Sequence, residues 1–112
     1  MSDRYAENRE KVLTAFRSGK YTQITGAYRG STSCFCAIGL MREATRGKEP
    51  WCPLGGPFAV AVASTVLRDC GIFPSSYGTL TRWNDHKGLT FEKIADRLES
   101  RFHGHPDRMV EL

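Results

Sequence analysis

The sequence predicts a mainly α domain, with about five helices around one core and a small β-hairpin after the first helix. Three observations predict it. Apolar residues recur at spacings of three, four and seven along several stretches, the period of a helix with one covered face. Gly19, Gly47 and Gly71 stand just past those stretches, where glycine ends a helix without steric cost. Residues 20–33 change character, with β-formers from Lys20 to Ile24 before a Thr25-Gly26 turn.

The first helix starts after Ser2 or Asp3 and carries Tyr5, Val12, Leu13 and Phe16 near one face, with Glu7 and Lys11 as an i,i+4 pair. Lys20 to Ile24 and Ala27 to Arg29 are read as the two arms of the hairpin. Ser33 caps a second helix from Cys34 to Arg46, with Cys34, Ala37, Ile38 and Met41 inward and Gly39 marking a close backbone approach. Residues 49–56 form a loop by their proline and glycine content. Pro57 opens a third helix that runs to Cys70. Its alternation over 58–66 also fits a strand, but the opening proline and closing glycine favour helix. A short fourth helix from Ser75 or Ser76 carries Tyr77, Leu80 and Trp83 and stops at Asn84-Asp85. Thr90 caps the fifth, in which Phe91, Ile94, Ala95, Leu98 and Phe102 make one apolar stripe. The domain is expected to span 1–102, with 103–112 as a polar C-terminal tail.

The chain has 112 residues, 40% hydrophobic and 25% charged, values ordinary for one folded domain. The formal net charge is +4. The bases are dispersed and interrupted by acids, which describes a solvated surface better than a nucleic-acid or nucleotide interface. No stretch approaches the ~20 apolar residues of a membrane helix, and Met1 to Tyr5 is unlike a signal peptide. A cytoplasmic location is expected, and with it free thiols at Cys34, Cys36, Cys52 and Cys70.

Two stretches resemble a known family. Leu13 to Gln23, followed by Gly26 and Phe35-Cys36-Ala37-Ile38-Gly39-Leu40, is similar to the front half of a family of small uncharacterised bacteriophage and prophage proteins. That half pairs a serine-glycine-x-tyrosine-x-glutamine opening with a phenylalanine-cysteine helix. Trp83-Asn84-Asp85 and Gly88 to Glu99 resemble the family's asparagine-aspartate and isoleucine-alanine-aspartate closing segment. The resemblance implies a phage-type accessory protein, acting in the host cytosol if phage-encoded. It implies no activity and transfers no catalytic residue.

Three constellations carry candidate chemistry. Cys36 sits near a helix start, where the helix end favours the thiolate. Gln23 lies upstream, and Asp85 and His86 follow in the order nucleophile, base, orienting group. This is the enzyme alternative, a cysteine-dependent hydrolase or transferase using Cys36, His86 and Asp85. It competes with the burial that free cysteines commonly show. Zinc is a second candidate, from the four cysteines with His86, His103 and His105. Structural zinc sites pair ligands two to four residues apart, and these do not, so no metal or cofactor is expected. The third constellation is polar: Gln23 and Arg29 flank the hairpin, and Asn84-Asp85 ends the fourth helix. Its expected role is ligand binding, with Arg29 offering a planar fork to a carboxylate or phosphate and Gln23 and Asp85 orienting it. The competing role is to satisfy backbone groups and tie the hairpin to the helix end. The function expected is binding, as an inhibitor or sequestering protein for a host protein or small anionic ligand.

Overall fold

The computed structural model describes residues 4–25, 29–31, 33–46 and 57–112, with the main chain alone at 4, 29–31 and 57–61. Among them are five helices: α1 (Arg4–Arg17), α2 (Ala37–Arg46), α3 (Pro57–Asp69), α4 (Tyr77–Asp85) and α5 (Phe91–Phe102). Three short strands, β1 (Thr22–Gln23), β2 (Arg29–Ser31) and β3 (Cys34–Phe35), lie between α1 and α2. The fold is mainly α, as the apolar periodicity predicts. The expected loop at 49–56 and Cys52 lie outside the described residues.

Helix α2 is the hub of the core. It contacts α1, α3 and α4, and every residue from Ala37 to Arg42 is buried. Helix α5 crosses α1 with its stripe Phe91, Ile94, Ala95, Leu98 and Phe102 fully inward. There Phe91 stacks on Phe16, centroids 5.3 Å apart. Thr90 accepts the Lys93 N–H as the cap. The alternating stretch after Pro57 is helical, and Gly71 follows α3 with φ +70°. Near that turn Arg46 binds Asp69, with its shorter contact at 2.6 Å, joining the ends of α2 and α3.

The hairpin is corrected. Strand β1 does not pair with β2. The order is β1-β3-β2, with β1 parallel and β2 antiparallel to β3. Phe35 explains the order: it is apolar and fully buried, so its strand takes the central place and the polar β1 takes an edge. The start of α2 moves for the same reason. Cys34 and Phe35 give their main-chain groups to the sheet, so helix begins at Ala37 and not at Cys34.

The closing residues are corrected too. Residues 103–112 return to the body. Val110 is buried and bridges Ile72 in parallel register. The Val110 N–H donates to Gly71 O at 2.8 Å, and Phe73 N–H donates to Val110 O at 3.0 Å.

Arg9 fastens this turn. Its residue is only 5% exposed. The guanidinium donates to Cys70 O (2.8 Å), Gly71 O (3.2 Å), His105 O (2.7 Å) and Arg108 O (2.7 Å), and it lies 4.3 Å from the Phe102 ring centroid. Burial pulls its pKa down. Carbonyl dipoles and aromatic faces stabilise the charge, two of the dipoles at the negative end of α3. A methyl group at Gly71 would meet Arg9 Nη2 at 2.5 Å and Tyr5 Cγ at 2.9 Å. Gly71→Ala therefore combines a left-handed backbone with overpacking and is expected to destabilise the protein by about 2–4 kcal/mol, read by urea unfolding. A loss under about 0.5 kcal/mol, the range of an ordinary surface change, would contradict this packing.

Candidate functional site

The polar residues singled out in the sequence meet around one side chain. Asn84, at the end of α4, is 3% exposed. Its Oδ1 accepts from Gln23 Nε2 at 2.8 Å and from the Ala37 N–H at 3.1 Å. Its Nδ2 donates to Ile24 O at 2.8 Å and to Asp85 Oδ1 at 2.7 Å. Gln23 Nε2 donates a second bond to Leu89 O at 2.7 Å. One amide thus joins β1, the first turn of α2, the end of α4 and, through Gln23, the entry to α5.

This geometry changes the expected roles. Asn84 was a candidate ligand contact, but two donations and two acceptances fill its amide. The Gln23 amide nitrogen is likewise occupied. Acceptors remain: Gln23 Oε1 and the second oxygen of half-buried Asp85 take no bond from the described residues. Arg29 Cα pairs with Phe35 across the sheet, and Phe35 pairs on its other side with Gln23. Arg29 and Gln23 therefore stand in one cross-strand row. The Arg29 side chain lies outside the described residues.

Cys36 stands where β3 turns into α2, and its Sγ accepts the Gly39 N–H at 3.4 Å as a helix cap. The depressed pKa expected there is corrected. Burial pushes the thiol above its ordinary value, the Gly39 and Ile38 N–H groups oppose the shift only partly, and the negative charge of Asp85 adds to it. His86, proposed as the base, is exposed and caps α4 through its backbone N–H to Arg82 O at 2.9 Å. No hydrogen bond joins it to Cys36 among the described residues. Cys70 is more deeply buried, and burial pushes its thiol up to about 12. Among the described residues no group of three His, Cys, Asp or Glu side chains is placed to hold a metal ion, and no helix is long and apolar enough to cross a membrane.

The sequence did not single out Arg9 or the capping sulfur of Cys36. A signal for Arg9 existed. It lies four residues after Tyr5, three before Val12 and seven before Phe16, on the inward face of α1.

The described elements define a small mainly α domain whose sheet and helix junction is closed by a buried asparagine. The chain belongs to the family of unknown function DUF6197, whose model matches residues 3–100. No curated protein and no solved structure matches it.

Two outcomes test the site. Asn84→Ala leaves the Ala37 N–H, Ile24 O and Gln23 without their partner and is expected to cost about 2–4 kcal/mol, against under about 1 kcal/mol for Asp85→Asn; equal losses in urea unfolding would contradict the hub. For the thiols, native iodoacetamide labelling followed by peptide mapping is expected to modify half-exposed Cys34 before Cys36 and Cys70. The labelling rate of Cys36 should rise only at a pH above the free-thiol value of about 8.5. Fast labelling of Cys36 at neutral pH would restore the nucleophile reading.

Proposed function

We propose that the protein acts by binding a protein partner, holding or blocking it, and not by catalysis. One observation carries this reading: the Asn84 hub holds Gln23 and Asp85 in place, with Gln23 Oε1 and one Asp85 oxygen taking no bond from the described residues, while Cys36 is sheltered as a helix cap. A nucleophile needs a neighbouring base or a lowered pKa, and the raised Cys36 thiol offers neither. Acceptors already held by hydrogen bonds suit recognition, because little ordering is lost when a donor group docks on them. Arg29, in the same cross-strand row as Gln23, adds a cationic residue to this region. The resemblance of the front and closing segments to small phage and prophage proteins supports an accessory role, with a host component as the partner. That step rests on association and not on the site's chemistry.

The test uses the full chain as bait in nuclease-treated host lysate, beside the double variant Arg29→Ala/Asp85→Asn. The expected result is a protein retained by the parent and lost by the variant, with the melting temperatures of the two baits alike. Partners kept equally by both, or none kept by either, would overturn the reading. A partner lost only when nuclease is present would favour nucleic-acid binding instead.

A further inference from the structure

Residues 105–112 lie in a slot that reads main chain. Gly71 O and Phe73 N–H bond the main-chain N–H and carbonyl of Val110 along one edge. The hydroxyl of buried Ser76 accepts the Leu112 N–H at 2.8 Å. The Arg9 fork holds His105 O and Arg108 O, both at 2.7 Å. Within 103–112 only Val110 is buried, and every residue from His103 to Arg108 is exposed. The segment is thus fastened by polar main-chain contacts, by buried Val110 and by half-buried Leu112 packed against the core. Most of the core residues lie on the five helices.

The join between α5 and this segment is narrow. Helix α5 ends at Phe102, and the chain reverses at Gly104 with φ +82°. Nothing lies within 4 Å of the position a Cβ would take there. The reversal therefore depends on the conformational freedom of one glycine. If the backbone continued as helix through 103 and 104, the segment would point away from its own body with its contacts unmade.

We propose that residues 105–112 are an exchangeable strap, and that the slot beside Arg9 accepts the same segment from a second copy to form a reciprocal dimer. The second copy is the fitting occupant because the slot demands more than an extended strand. Two carbonyls three residues apart must meet one guanidinium, and a buried aliphatic residue must follow two positions later. The identical segment meets both demands, so a reciprocal exchange keeps each contact and adds an interface between the bodies.

The experiment uses the full chain and Gly104→Ala. Alanine meets no neighbour there, so the body stays folded, but it disfavours the left-handed turn and favours a longer α5. By light scattering after size exclusion, the dimer-to-monomer ratio is expected to rise about tenfold over the parent, the scale set by one left-handed residue. Adding Val110→Asp to Gly104→Ala is expected to return the protein to monomer. Hydrogen exchange on the parent supplies a readout without mutation: the Phe73 and Val110 amides should exchange about tenfold or more faster than those of α5, because the strap opens without global unfolding. An unchanged ratio in Gly104→Ala, a dimer that survives Val110→Asp, or strap amides exchanging in step with α5 would each overturn the proposal.

Discussion

The amide of Asn84 is the constraint on which the surrounding elements depend. A buried side chain that donates twice and accepts twice fixes four separate groups relative to one another. Here they are the carbonyl of Ile24 just past β1, a helix N–H at Ala37, the Gln23 amide and the Asp85 carboxylate. No other residue type of this size offers both functions. Aspartate at the position would set a carboxylate against Ile24 O and Asp85, and leucine would leave the Ala37 N–H unmet, each at the cost of an unsatisfied buried group. The asparagine therefore settles where α2 begins. Phe35 is held in the sheet, Ala37 N–H is taken by Asn84, and the helix has only the turn at Cys36 in which to start.

Arg9 does for the α3 turn what Asn84 does for the α2 turn, with different chemistry. An isolated buried cation costs several kcal/mol. Four carbonyls and two aromatic rings offset that cost here. The arrangement needs the chain to pass close to the guanidinium, which is why residue 71 is glycine, and it needs residues 105–108 to return. The closing segment is thus part of the cation's solvation shell. It serves through main-chain carbonyls, so the role leaves its side chains free to be polar and exposed.

The elements legible in the sequence are those fixed by neighbours along the chain. Thr90 and the stripe from Phe91 to Phe102 lie within one helix, so cap and period can be read directly. Pro57 and Gly71 bracket α3 and settled the choice between strand and helix. What escaped depends on distant partners. The place of β3 between β1 and β2 follows from the burial of Phe35, which no local pattern reveals. Gln23 and Asn84 stood out as polar residues in family-like segments, with ligand binding and a structural tie as competing roles, but the bond between them spans 61 positions, so the sequence could not choose between the two. Arg9 was hidden by its charge: arginine is seldom fully buried, and periodicity counts apolar residues alone.

Cys36 shows how magnitude decides between two correct physical rules. A helix start stabilises an anion by about 0.3–1 kcal/mol, which is less than one pKa unit at 1.36 kcal/mol per unit. Burying an ion opposes this with a penalty of several kcal/mol, and a carboxylate nearby, Asp85, works in the same direction. Burial is the larger effect, so the thiol's pKa is raised, and the sulfur serves as a weak acceptor for the Gly39 N–H. The same burial that makes Cys36 a good cap makes it a poor nucleophile. Asp85, one residue beyond the filled amide of Asn84 and half-buried, keeps a carboxylate oxygen that takes no bond from the described residues.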